Sequence, residues 1–233
     1  MEANIATPAA LIGDPVRAAM LLALLDDRNL PATALAWAAG VSAQAASNHL
    51  AKLMSGGLLH VTTQGRHRYY RLSGPEVAHA LEALAVLGPP PPALERLHNA
   101  KARRLRAARS CYDHLAGQLG VALADALEQN GLITTSDHER YTLSEAGHHC
   151  LAQLGMDPAA LGTGSKPHAR PCLDWTERRR HLAGPLAARL FTRLLELGWV
   201  QRGTENRAIL ITPSGYLGLQ QHFGITLQPA AAA

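Results

Sequence analysis

The sequence predicts a mainly α fold with small β-wings: an N-terminal winged helix-turn-helix followed by two degenerate winged-helix-like repeats. Three observations carry this. Residues 35–72, LAWAAGVSAQAASNHLAKLMSGGLLHVTTQGRHRYYRL, read as a helix, a tight turn, a second helix and a two-stranded basic ribbon. His114-Leu115-Ala116-Gly117 recurs as His181-Leu182-Ala183-Gly184. Aromatic residues make up 4% of a chain that is 47% hydrophobic, with Ala and Leu dominant, which favours helices over a large sheet.

The elements follow in order. Gly40-Val41-Ser42 is the turn: Gly lets the backbone reverse, and the Ser42 hydroxyl can cap the next helix. That helix, about Ala43 to Met54, buries Ala46, Leu50 and Leu53 at helical spacing. Its other face carries Gln44, Ser47, Asn48, His49 and Lys52, donors and acceptors suited to base edges and phosphates. Gly56-Gly57 ends it. LLHVTT and RHRYYRL then alternate as two strands around a Gln64-Gly65 turn, with Arg66 and Arg68 at or just beyond the tip. Between Ser42 and Leu72 there are four Lys/Arg, three His and no Asp or Glu, the sign that phosphate neutralisation needs. An ordinary helix pair with a solvated hairpin would not require turn, cap, amide-rich face and basic wing in that order.

At these residues the chain resembles the ArsR/SmtB family of winged-helix repressors. GDPVRAAMLLALL, Gly13 to Leu25, is similar to that family's first helix; VSAQAASNHLAKLMSGGLL is similar to its recognition helix; GRHRYYRLS is similar to the end of its wing. The resemblance covers about residues 10–88. It implies a homodimeric repressor that leaves its operator when an effector binds, joined through helices near residues 11–25 and 75–87. It also implies that Ser42, Gln44, Ser47, Asn48 and His49 face the groove and that Arg66 and Arg68 are the wing contacts. The family's two metal motifs are missing from this domain: ATALAWAAG before the turn has no Cys or His, and GPEVAHALEALAVL after the wing has only His79.

The 233 residues suggest more than one domain. We expect a winged helix-turn-helix over 10–88, a Pro-rich linker and basic helix over 89–110, repeat 1 over 111–160, a connector over 161–180 and repeat 2 over 181–228. Gly88 and Pro89 to Pro92 stop the first domain. Lys101, Arg103, Arg104, Arg106 and Arg109 crowd the next helix, as a solvated face or as a contact to flanking phosphates. Each repeat reads as a helix ending at a Gly, a short hairpin and a closing helix. The hairpin tips carry Asp137, Glu139 and Glu205, which would repel phosphates. The closing PAAAA reads as a disordered tail. The start lacks a basic segment followed by a long apolar run, and three cysteines without paired spacing fit a reducing cytoplasm; no membrane span is expected.

No phosphate loop, nucleophile elbow or paired CxxC supports catalysis, so an enzyme is not expected. Metal or thiol chemistry is the open possibility: no cofactor is certain, but a soft metal ion or a thiol-reactive effector fits the candidate sensor residues Cys172, Cys111 and His114. Cys111 and His114 are three apart on a predicted helix and can share a face, with Asp113 pointing elsewhere. His148-His149-Cys150 is a second cluster whose adjacent members diverge. His168, Cys172 and Asp174 lie in the connector, where Arg170 and Arg178 to Arg180 would lower the Cys172 pKa. Against this, Cys111 and Cys150 read more readily as small core residues, because free Cys is often buried. His114 and His181 share a place in the two repeats without a recurring Cys, which suggests a structural role. Trp175 would otherwise line an apolar effector pocket. The resulting function is a cytoplasmic, dimeric repressor on a near-palindromic double-stranded operator, with an effector sensed after the linker. The alternative is a DNA-architectural or interaction protein with no effector.

Overall fold

The computed structural model describes residues 3–25, 29–88, 100–135, 140–157, 168–203 and 207–227. The Pro89–Pro92 linker, the acidic tips at Asp137, Glu139 and Glu205, and the C-terminal PAAAA lie outside them. The chain divides into two compact units, Met1–Leu84 and Ala85–Ala233.

In the first unit, α1 (Ala6–Ile12) and α2 (Pro15–Ala23) precede β1 (Leu30–Pro31), α3 (Ala32–Ala39), α4 (Ala43–Ser55), β2 (Leu59–Gln64) and β3 (His67–Leu72). The helix α5 (Pro75–Leu87) follows and crosses the boundary. The strand order is β1-β3-β2, all antiparallel, with Leu59 opposite Leu72 and Gln64 opposite His67. The turn therefore lies one residue later than expected, at Gly65–Arg66, with Gly65 at φ 60. Gly40 caps α3 in the left-handed region at φ 66, where a side chain would be strained. Ser42 Oγ accepts from the Ala45 amide at 3.3 Å and starts α4. Ala46, Leu50 and Leu53 of α4 are buried where α4 packs on α2 and α3, so the apolar stripe on α4 fixes which face turns outward.

The second unit opens with α6 (Ala100–Ala107), then runs β4 (Arg109–Cys111), β5 (His114–Ala116), α7 (Gly117–Gln129), β6 (Ile133–Thr135), β7 (Tyr141–Leu143) and α8 (Glu145–Gln153). The order then recurs: β8 (Arg170–Leu173), β9 (Arg180–Ala183), α9 (Pro185–Glu196), β10 (Val200–Arg202), β11 (Ile209–Ile211) and α10 (Pro213–Phe223). Each strand pair is an antiparallel hairpin. Hairpin, helix, hairpin, helix thus occurs twice, and β8 lies inside the stretch expected to be a connector. The two halves interlock: α7 packs on β9, α9 on β5, and β5 against β9. Leu119, Leu127, Leu190, Phe191, Leu194, Leu219 and Phe223 form the centre of the shared apolar core.

Cys111 and His114 were expected on one helix. They are instead directly opposite each other in the β4–β5 hairpin, because the helix stops at Ala107. Tertiary pairing overrides helical propensity there: Arg109 bridges Ala208, and the Ser110 amide donates to Arg207 O at 2.9 Å. The two-residue turn puts Tyr112 at φ 57, and Gly117 at φ 75 starts α7 where a Cβ would lie 2.6 Å from Arg106 O. That is why glycine follows His-Leu-Ala in both halves: Gly184 occupies the same junction at φ 95.

A second pair of glycines ties the closing helices down. Ser144 and Thr212 cap α8 and α10 by accepting from the Gly147 and Gly215 amides, each at 3.0 Å. A Cβ on Gly215 would lie 1.9 Å from Trp199 O. Gly215→Ala must therefore push α10 off the β10–β11 hairpin, and we expect a loss of about 1–3 kcal/mol, read as a lower thermal midpoint by circular dichroism. An unchanged midpoint would show that α10 is not seated as described.

Candidate functional site

Two constellations stand out, one in each unit. In the first, α4 and the β2–β3 hairpin present Gln44, Ser47, Asn48, Lys52, Arg66 and Arg68 to solvent. Asn48 and Gln44 lie one turn apart on the exposed face, so their amides can reach the same groove. Ser47 Oγ donates to Ala43 O at 3.0 Å, which holds its hydroxyl along the helix. Arg68 leans on Met54 Sδ at 3.8 Å and over the Tyr70 ring at 5.6 Å, which braces the hairpin against α4. His49 departs from the expected groove-facing set. Its side chain is only 22% exposed, and its Nδ1 faces Asp14 Oδ1 at 3.6 Å at the start of α2. It serves the packing of α4 on α2.

The second constellation is largely buried: Cys111, His114 and His181 are buried and Cys172 is half-buried. Cys111, His114, Cys172 and His181 each offer one donor atom, and all four atoms lie within 4.8 Å of one another. They come from the two interlocked hairpins as cross-strand pairs, Cys111 opposite His114 and Cys172 opposite His181. The imidazoles stack with centroids 5.1 Å apart, and their Nε2 atoms are 3.2 Å apart. His114 Nδ1 is 2.9 Å from Asp113 Oδ1, so Asp113 orients the ring instead of pointing away. His181 Nδ1 is buried without a hydrogen bond, 3.8 Å from Asp174 Oδ2.

The electrostatics converge on one sulfur. The Cys111 thiol hydrogen-bonds to Cys172 Sγ, burial opposes this, and His114 and His181 add their own hydrogen bonds; together they pull the Cys172 thiol far below its ordinary value. The cause is the histidine and thiol neighbours, not the arginines expected from the sequence. Arg179, for example, is held by Asp125 Oδ2 at 2.8 Å. Burial disfavours the His114 imidazolium, but the Asp113 carboxylate and the Cys172 sulfur outweigh it and raise its pKa.

A buried ion pair frames the cluster. Arg109 Nη2 donates to Asp174 Oδ2 at 2.8 Å, and both side chains are inaccessible to solvent. Asp174 Oδ2 also accepts from the Gly117 amide at 2.6 Å, the first residue of α7, while Oδ1 accepts from Thr176 and Glu177. The Arg109 guanidinium lies over the Trp175 ring at 4.8 Å, so Trp175 is occupied as its platform. An apolar cavity in this unit is lined instead by Leu115, Gly120, Leu123, Leu182, Ala187 and Leu190. Two members of the basic run are taken up inside the unit: Arg109 is buried and Arg106 pairs with Glu177 at 2.8 Å.

Neither His168 nor the His148-His149-Cys150 run joins this cluster. His168 Nδ1 accepts from the Leu143 amide, His149 pairs with Gln153 at 3.1 Å, and burial pushes the Cys150 thiol up. His181, Asp113, Asp174 and Arg109 were missing from the expected sensor set. A signal for them was present: Ala108-Arg109-Ser110-Cys111 and Ala169-Arg170-Pro171-Cys172 match, so the cysteine does recur with the histidine. The hairpin loops differ, giving Cys-x2-His in one half and Cys-x8-His in the other, and that difference in length hides the match.

A capped helix-turn-helix with an amide-rich outer face and a basic hairpin defines a DNA-binding transcriptional regulator. The family described as a helix-turn-helix domain matches residues 12–62. The chain is 38% identical over 227 residues to the uncharacterized HTH-type transcriptional regulator YdfF of Bacillus subtilis (strain 168), covering 97% of this chain and 100% of that protein. It belongs to that family of HTH-type transcriptional regulators. Among solved structures it is similar to NolR from Sinorhizobium fredii, at 29% identity over 35% of this chain and 81% of that one, TM-score 0.33. It is also similar to the cadmium metal-sensor CMTR from Mycobacterium tuberculosis, at 32% identity over 40% of this chain and 100% of that one, TM-score 0.32. No helix among the described residues is long and apolar enough to cross a membrane.

Because Arg109 and Asp174 are both inaccessible, removing either strands a charge. We expect Arg109→Met and Asp174→Asn each to lose about 3–5 kcal/mol of stability. The double variant should lose clearly less than the sum, as denaturant titration of all four proteins would read. Additive losses would show that the two groups do not depend on each other.

Proposed function

We propose that this chain is a homodimeric repressor that binds a near-palindromic double-stranded operator and is released by an effector sensed in the C-terminal unit. The observation that carries the reading is the exposed α4 face with the basic hairpin beside it: base-reading amides and phosphate-binding cations occupy one surface. Ser42, Gln44, Ser47, Asn48 and Lys52 are its helix contacts, and Arg66 and Arg68 its wing contacts. His49 supports α4 from behind. One such surface covers one half-site, and useful specificity takes two, about one helical turn of DNA apart. Leu22 on α2 and Leu84 on α5 are 42% and 46% exposed, apolar surface suited to joining two copies through these helices. The recurring halves of the second unit are two degenerate winged-helix-like repeats, which pack and sense instead of reading DNA. Cys172, Cys111 and His114 belong to the donor cluster where these halves meet.

The test uses duplexes selected by the protein from a random pool, compared with unselected DNA. Asn48→Ala should weaken binding to selected duplexes by about 5–150-fold, the equivalent of about 1–3 kcal/mol, and weaken unselected DNA less. Arg66→Ala should weaken both equally and lower the salt dependence by about one ion. Equal losses for Asn48→Ala on both pools would remove base readout from this face and favour an architectural DNA-binding role.

Assembly is checked separately by light scattering. The parent should be a dimer at micromolar concentration, and Leu84→Glu should shift it toward monomer. A monomeric parent would refute the dimer.

A further inference from the structure

We propose that Cys111, His114, Cys172 and His181 form a closed tetrahedral site for one zinc-type divalent ion, which clamps the two hairpins of the C-terminal unit together. The site lies far along the chain from the DNA-reading surface and uses two residues from each half.

Donor chemistry selects the ion. Two sulfurs and two imidazole nitrogens in a tetrahedral set favour zinc over hard cations, which take oxygen donors. The charge also fits: two thiolates and two neutral imidazoles neutralise a dication, the condition for keeping an ion in a buried site. Binding takes both sulfurs as thiolates, displaces the Cys111 thiol proton and any proton shared between the imidazoles, and forms two metal–sulfur and two metal–nitrogen bonds with no change of oxidation state.

The geometry points the same way. Tetrahedral bonds of ordinary length set imidazole nitrogens about 3.3 Å apart and thiolate sulfurs about 3.8 Å apart. The Nε2 atoms of His114 and His181 are already 3.2 Å apart. All four donors lie within 4.8 Å, so the set needs to contract by about 1 Å at most. Asp113 engages His114 Nδ1 and turns its Nε2 lone pair inward; Asp174 stands opposite His181 Nδ1. A carboxylate behind each ligating imidazole is the usual outer shell of such a site. Without a cation, two Nε2 atoms facing each other at this distance must share a proton or repel.

The sequence supports the assignment independently. Ala-Arg-x-Cys followed by His-Leu-Ala-Gly occurs twice, and in both copies the Cys and His are cross-strand partners. Each hairpin is therefore a two-donor chelator, and the interlocking of β5 with β9 brings the two chelators face to face. With four protein donors no coordination position is left open for substrate, so the ion holds structure and does no chemistry.

The test contains no DNA, so its failure is separate from failure of the DNA-binding reading. The full chain, purified without chelator, should carry one zinc per chain by elemental analysis. Replacement by Co2+ should give the intense visible bands of a tetrahedral cobalt site and a thiolate charge-transfer band. Stripping the ion should lower the thermal midpoint by on the order of 10 °C, and adding Zn2+ back should restore it. Cys172→Ser should lose the ion; Cys150→Ser, which lies outside the cluster, should keep it. His181→Cys preserves four donors and should keep the ion with a stronger charge-transfer band, which separates loss of a ligand from loss of fold. Substoichiometric zinc together with no tetrahedral cobalt spectrum would overturn the proposal. So would retention of the ion by Cys172→Ser, or a Cys111–Cys172 disulfide in protein purified without oxidant.

Discussion

The C-terminal unit is organised around one buried carboxylate. Asp174 is inaccessible to solvent, and a buried charge is tolerated only when its lone pairs are filled. Arg109 supplies the countercharge from the first hairpin, the Gly117 amide supplies the first free N–H of α7, and Thr176 and Glu177 close the second hairpin's own loop. One side chain thus satisfies a helix start, neutralises a buried cation and shapes the loop before Arg180. Burial opposes its ionisation, but Arg109 and these donors hold its pKa well below the ordinary carboxylate range.

The placement of the cysteine–histidine cluster follows from that pairing. Arg109 lies two residues before Cys111, and Asp174 two residues after Cys172, so joining the charges brings the two sulfurs into one neighbourhood. Helix packing completes it. α7 follows the first hairpin but rests on the strand of the second, and α9 does the converse, so neither half can close its apolar face alone. Gly120 permits the approach: a Cβ there would stand 2.5 Å from Leu115 O and 3.6 Å from His181 Cβ. The two halves are chemically alike and mutually dependent.

The N-terminal unit works on a different principle. The residues packed under α4 are apolar, and the outer face of α4 consists of the residues that its apolar stripe leaves outside. Nothing buried and charged is needed to place Asn48 or Gln44; burial of Ala46, Leu50 and Leu53 places them, because helical period ties the two faces together. The hairpin is held by strand register and by Arg68 lying against Met54 and Tyr70.

Much of the first unit was legible in the sequence, since its signals are local. A left-handed glycine, a hydroxyl cap, a 3.6-residue apolar stripe and alternating strands around a glycine turn each act within a few residues. Other features escaped: α1 precedes the expected first helix, β1 adds a third strand beside β3, the hairpin turn falls one residue later, and His49 turns toward Asp14, because a helical position one step off the outer face answers to its tertiary neighbour. The sequence by itself also shows the recurring His-Leu-Ala-Gly and supplies the cysteines and histidines of the second unit. It did not determine their meeting. Cys111 and His114 have helix-compatible spacing, and only pairing of Arg109 and Ser110 with the 207–208 segment makes them a hairpin. Cys172 and His181 are separated by a loop of different length, so no single spacing links the two pairs. Four donors gather because two hairpins pack against each other, and packing between segments far apart in the chain belongs to the tertiary structure alone.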